Sequence, residues 1–406
     1  MSKTIAVLAT LDTKGHEARY LADQIESMGG IALLMDIGVV SEPTTPSDVS
    51  RSEIAAAGGT PLEKILEAPT RQAASPVLVA GATRLLLERI AQDAVHGVVG
   101  LGGTQGTSNC TAVMQGLPYG FPKVMVSTAA SGDTSAFVGI KDITMMFSVG
   151  DILGLNAVTR KILANAAAAT YGMASSPVSL DIRPGSKPLI GMTNLGVLTE
   201  GAMLALQYFQ EAGYEVIVFH AVGSGGLAME QLMRDGLIGA VFDYGLGEIP
   251  DEMYDGLRAA GPERLTVAGK LGLPQVICPG GLEHIGLLTE PNTIPERYRN
   301  HAVAFHNPII LAIRLEAEEM VAVAQEVNKR LSHTTDKAYF MMPKRGMSRY
   351  AVQGAHLHDP IGDEAFLATI KAGLPDNIEL LERDLHAEDP AFVREAVERL
   401  ISLIEA

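Results

Sequence analysis

The sequence predicts an α/β protein of two doubly wound domains, each built on a mainly parallel sheet. Three observations carry that expectation. The chain has 406 residues, 47% of them hydrophobic, which is enough for two domains with separate cores. It combines 42 glycines with only 5% aromatic residues and no tryptophan, a composition suited to many strand-to-helix turns. A pattern of apolar run, amphipathic helix, glycine and second apolar run opens the chain and starts again near its middle.

Taken in order, Ile5–Thr10 reads as a buried strand and Lys14–Met28 as a helix with apolar spacing through Ala18, Leu21, Ala22 and Ile25. Gly29-Gly30 stops that helix and Ile31–Asp36 is a second strand. Ser41–Ser50, with Pro43 and Pro46, is a loop. Pro76–Gln92 is a helix leading into the apolar run Gly97–Leu101. Pro122–Ser127 and Ile143–Phe147 are further strands, and Leu153–Tyr171 is a long alanine-rich helix.

Ser175–Lys187, holding Pro177, Pro184 and Gly185, reads as a linker, so the expected domains are 1–178 and 187–406. Beyond it come a strand Leu189–Asn194, a helix Thr199–Ala212 and a strand Glu215–His220. This opening lies at one constant offset from the first: Ile5 falls on Leu189, Met28-Gly29 on Ala212-Gly213 and Asp36 on His220. Strand–helix–Gly–strand is generic in α/β units, so the match is open between duplication and shared architecture. The second half continues with a helix Leu227–Arg234, strands Ile238–Asp243 and Gln275–Cys278, and one long helix Pro308–Leu331. Strands Ala338–Met342 and Ile378–Glu382 and a last helix Pro390–Ile404 complete it.

A net charge of -16 disfavours binding to nucleic acid or to an anionic membrane surface. The two cysteines, Cys110 and Cys278, lack CxxC spacing, and the histidines form no HExxH, so neither a disulfide framework nor a metal site is expected. Asp12 and Lys14 interrupt the first apolar run too early for a signal peptide, and no apolar run reaches membrane-spanning length. The expected location is the cytoplasm.

Ligands of open α/β sheets sit beyond the carboxyl ends of the strands, and four loops there are rich in polar groups. Thr10-Leu11-Asp12-Thr13-Lys14-Gly15-His16-Glu17 offers hydroxyls, a carboxylate, an ammonium and an imidazole at one strand end. Gly100-Leu101-Gly102-Gly103-Thr104-Gln105-Gly106-Thr107 joins a strand to a helix start. It suits an anion held by backbone N–H groups, but it lacks the lysine of a phosphate loop and misplaces the third glycine of a dinucleotide fingerprint. Ser127–Thr134 is small and hydroxyl-rich. His220-Ala221-Val222-Gly223-Ser224-Gly225-Gly226 repeats the strand, glycine loop and helix order in the second half. Pro343–Arg349 is a cationic turn, and His356-x-His358-Asp359 reads as structural.

The strings Ala9–Glu17, Gly102–Thr107 and Phe219–Gly226, with Gly280-Gly281 and the Pro343–Ser348 turn, resemble the ATP-binding family named after the tomato mosaic virus resistance protein. The likeness covers essentially the whole chain. It implies two Rossmann-like domains, a homodimer or higher homo-oligomer, and ATP bound in the amino-terminal half. Carried over residue by residue, it implies nucleotide contacts from Thr10, Asp12, Thr13, Lys14, Gly102, Gly103, Thr104, Gln105, Gly106 and Thr107.

The leading expectation is therefore an ATP-binding protein, with Mg²⁺ oriented by Asp12 and phosphate cradled by Gly102–Thr107 with Lys14 adding charge. The Gly223, Ser224, Gly225 and Gly226 loop is expected across a cleft between the domains, holding a second ligand. An alternative is an enzyme acting on a small carboxylate or phosphorylated metabolite in that cleft, with Lys14, His220 and Asp243 as acid–base groups. A third is a non-catalytic interaction module, which rests on the plant relative, whose corresponding region binds a viral replication helicase.

Overall fold

The computed structural model describes residues 2–67, 70–178, 180 and 187–406. Residues 179 and 181–186 of the expected linker lie outside the described residues. The chain divides into two compact units, Met1–Asp181 and Ile182–Ala406.

In the first unit, β1 (Thr4–Ala9), α1 (Leu11–Ser27), β2 (Ile31–Asp36), α2 (Arg51–Ala57), α3 (Leu62–Leu66) and α4 (Arg71–Ala91) precede β3 (Gly97–Gly102). Then follow α5 (Thr104–Gln115), β4 (Lys123–Ser127), α6 (Ser135–Val138), β5 (Thr144–Phe147) and α7 (Ala157–Ala174). The five strands form one parallel sheet in the order β2-β1-β3-β4-β5. Successive side chains of β1 point to opposite faces and both faces are covered. Ala6 and Leu8 pack with Leu78, Leu86 and Val113, while Ile5, Val7 and Ala9 pack with Leu21, Ile25 and Leu163. That double burial is why the strand reads as a continuous apolar run.

The second unit holds β6 (Ile190–Asn194), α8 (Thr199–Glu211), β7 (Val216–His220), α9 (Ser224–Arg234), β8 (Ala240–Gly245), α10 (Glu248–Met253) and α11 (Val267–Lys270). After these come β9 (Gln275–Gly280), β10 (His284–Leu288), β11 (Val303–Asn307), β12 (Ile310–Arg314), α12 (Ala317–Leu331), β13 (Ala338–Pro343), α13 (Pro360–Gly373), β14 (Ile378–Arg383) and α14 (Pro390–Ile404). Its parallel sheet has the order β14-β13-β9-β8-β6-β7. Read from each unit's first strand, both sheets run second, first, third, fourth, fifth, and the second unit adds one strand. Both are doubly wound, Rossmann-like sheets.

Several elements depart from the sequence expectation. The first helix begins at Leu11 and not at Lys14, where the backbone is non-helical (φ -129°, ψ 18°), so Asp12 and Thr13 sit in its first turn and not in a loop. The helix expected at Pro76 begins at Arg71, because the Thr70 hydroxyl accepts from Ala73 N and caps it upstream of the proline. The expected long helix Pro308–Leu331 is a strand followed by a helix. Asn307 Oδ1 accepts from the N–H groups of Ile309 and Ile310 and makes a turn, and β12 then pairs with β10 and β11 in a three-stranded antiparallel sheet. A short apolar run does not distinguish strand from helix, and the partners that decide it are distant in sequence.

Candidate functional site

The order β2-β1-β3 sets a switch point at β1. The chain leaves β1 toward β2 on one side and resumes at β3 on the other, so the loops beyond β1 and β3 diverge and leave a crevice. A cavity of about 390 Å³ lies there. Thr10, Asp12, Thr13 and Lys14 line it from the start of α1, and Gly103, Thr104, Gln105 and Gly106 from the start of α5. Two stretches far apart in sequence thus share one pocket.

The glycine loop is shaped by close packing. A Cβ on Gly102 would lie 2.8 Å from Gly106 Cα, so the missing side chain of Gly102 lets α5 begin tight against β3. Gly103 is the N-cap of α5, which has no side-chain cap and no acidic residue in its first turn. Its leading N–H groups belong to residues that line the cavity, and the helix end favours negative charge. Thr10 and Thr13 share a hydroxyl hydrogen bond of 2.8 Å, and Lys14 Nζ donates to the Ile152 carbonyl.

Two carboxylates lie at this edge. Asp36 is buried and its Oδ1 accepts from Leu11 N (3.0 Å) and Gly38 N (2.9 Å). Burial raises its pKa above the usual carboxylate value, the two N–H groups oppose that, and neighbouring Asp12 adds to the rise. Asp12 Oδ2 accepts from Val40 N (2.8 Å) and Ser41 N (3.2 Å), while its buried Oδ1 has no hydrogen-bond partner among the described residues.

Not every expected ligand residue reaches the cavity. Gly102 and Thr107 are buried outside it, and the Thr107 hydroxyl bonds Ser127 Oγ at 2.7 Å. The second glycine loop requires a correction, because the protein fills it with its own anion. Glu248 Oε1 accepts from Gly223 N (2.7 Å) and Gly226 N (3.0 Å), and a Cβ on Gly226 would strike the Glu248 carboxylate. Gly223, Ser224, Gly225 and Gly226 line neither of the two cavities described here. Asp243 is also internal. It is bonded to Arg264 through both oxygens at 2.6 Å and to Thr193 Oγ1 at 2.8 Å, and so has no free face for acid–base work. His220 is exposed and lines a separate, smaller cavity of the second unit. In the cationic turn, Arg345 pairs with Asp384 and Arg349 with Glu388.

The apolar wall of the first cavity, Ile37, Val39, Val40 and Leu78, was not foreseen from sequence, nor was Ser75, whereas Asn109 belongs to the donor-rich segment that follows the glycine loop. Val39-Val40 follow the second strand end, whose position beside β1 was the available signal. Ser75 and Leu78 come from α4, and no local pattern marks them.

Fold and pocket together define a two-unit α/β protein with a ligand-sized cavity at a sheet switch point. The chain belongs to the UPF0261 family, an uncharacterised protein family, matching its N-terminal domain over residues 3–179 and its C-terminal domain over residues 187–404. A UPF0261 protein of Clostridium tetani is 36% identical over the full length of both chains. One from Rhizobium meliloti is 37% identical, covering 97% of this chain and 98% of its own. The ToMV resistance protein Tm-1(GCR237) of Solanum lycopersicum is 31% identical over 313 residues, which is 76% of this chain and 41% of that protein.

Proposed function

We propose that the amino-terminal unit binds ATP with Mg²⁺ in the β1–β3 cavity. The observation that supports this most directly is the meeting, in one pocket, of an uncapped α5 start, Lys14 and Asp12, one of whose carboxylate oxygens is buried without a hydrogen-bond partner among the described residues. In this reading the N–H groups of Gly103–Gly106 hold phosphate oxygens, and Lys14 supplies a compact positive charge. Asp12 Oδ1 holds Mg²⁺ directly or through water, and the bound ion neutralises phosphate charge. The aliphatic wall of Ile37, Val39, Val40 and Leu78 covers the base.

Isothermal titration with ATP, with and without Mg²⁺, tests the reading. Saturable binding that weakens by about tenfold or more in Lys14→Ala is expected, equivalent to about 1.4 kcal/mol. Asp12→Asn is expected to remove most of the Mg²⁺ dependence. Absence of heat at millimolar nucleotide rejects the proposal.

A further inference from the structure

The second unit repeats the switch point: β6 leads to β7 on one side, and the sheet resumes at β8 on the other. A cavity of about 180 Å³ lies beyond these strand ends. Its polar wall is His220, Arg258, His284, His306 and Tyr350, and no carboxylate lines it.

The polar groups are linked and held from behind. Arg258 is 5% exposed, and Asp251 takes its Nε (2.9 Å) and Nη2 (2.8 Å), leaving Nη1 to face His284 Nε2 at 3.3 Å. His284 is 3% exposed, and its Nδ1 lies 3.0 Å from Glu283 Oε1. Because Glu283 is ionised and a carboxylate only accepts, Nδ1 carries the proton of that bond and Nε2 is turned to the Arg258 side. The His284 ring lies 6.0 Å from the Tyr350 ring, and the Tyr350 hydroxyl is 3.3 Å from His306 Nδ1. Arg258, His284, Tyr350 and His306 therefore form a continuous polar row, and the acidic partners Asp251 and Glu283 stand behind it, off the cavity wall.

Such a wall selects an anion. Among the described residues no three His, Cys, Asp or Glu side chains converge in a metal-binding arrangement, so the three imidazoles are not a metal set. The nature of the anion follows from two further features. The nearby start of α9, which would suit phosphate, is already occupied by Glu248. The remaining wall is aliphatic, from Val197, Val222, Leu257 and Leu311, and this favours a ligand with a hydrocarbon part.

We propose that this cavity binds a short-chain organic monocarboxylate, its charged end on Arg258 Nη1, Tyr350 and His306, with His284 orienting Nη1, and its carbon chain on the aliphatic wall. The site is independent of the ATP reading, since it lies wholly in the other unit.

Titration of the intact protein with butyrate, with inorganic phosphate and succinate as comparison anions, tests it. Saturable one-to-one butyrate binding is expected, weakened about tenfold in both Tyr350→Phe and His306→Ala. His306 is exposed and Tyr350 half-buried, so both variants are expected to keep the wild-type melting curve. The proposal is overturned by absence of saturable butyrate binding, by tighter binding of phosphate or succinate, or by butyrate affinity unchanged in both variants. ATP titration of the same sample reports separately on the other pocket.

Discussion

Asp12 and Asp36 stand at neighbouring strand ends, and what reaches each decides its use. Asp36 spends Oδ1 on two backbone N–H groups and holds the loop after β2 in place. Asp12 lines a cavity, and its buried Oδ1 has no hydrogen-bond partner among the described residues. Glu283 shows the same principle with a measurable consequence. Its burial opposes ionisation, but the His284 ring, the Ser348 hydroxyl and Arg314 outweigh burial and lower its pKa from 4.5 to about 2. A carboxyl depressed on folding adds stability above its unfolded pKa and loses it as pH falls toward the folded one. Glu283→Gln is therefore expected to cost roughly 3 kcal/mol at neutral pH, with the difference from wild type shrinking from about pH 5 to about pH 2. Urea unfolding at several pH values measures this, and a difference that stays flat across that window contradicts an electrostatic origin.

At the scale of elements, α5 and α9 begin alike, each at a glycine loop beyond a parallel strand, yet only α5 opens onto a cavity. Glu248 closes α9 from inside, fixed in turn by Arg264 Nε at 2.7 Å. Arg264 is fully buried and also meets Asp243 and Glu230. Burial raises the carboxyl pKa of Glu230 and Glu248, and Arg264 opposes the rise in both. A carboxylate held this way cannot swing aside. Gly226→Ala is accordingly expected to destabilise the fold by about 1–3 kcal/mol, despite the better helix propensity of alanine. Ser224→Ala, at an exposed position two residues earlier on the same helix start, is expected to stay within about 0.5 kcal/mol. Denaturant midpoints compare the two, and equal effects would refute the role given to Glu248.

For the whole molecule, each unit has a large hydrophobic core on either face of its parallel sheet. A ligand that binds one unit stabilises that unit by mass action. Calorimetry is expected to resolve two components, with ATP at about 100 times its Kd adding roughly 2.7 kcal/mol to one of them. A shift of both components by equal amounts contradicts that expectation. No helix among the described residues is long and apolar enough to cross a membrane.

The local pattern in the chain determined a good deal. Apolar runs such as Ile5–Ala9 must be buried on both faces, so they specify parallel strands covered by helices, and the glycine stops punctuate them. The same reading located Thr10–Lys14 and Gly103–Gly106, because polar groups at strand ends are visible in sequence. Tertiary structure decided which of these segments opens onto a cavity. Only packing brings Glu248 into the Gly223–Gly226 loop and Arg264 onto Asp243, and these long-range partners satisfy groups that look free in the sequence. The β10–β12 sheet escaped notice for the same reason: Ile310–Arg314 becomes a strand only by pairing with residues distant in the chain. That pairing also completes the second cavity, whose histidines are scattered in sequence and gathered only by the fold.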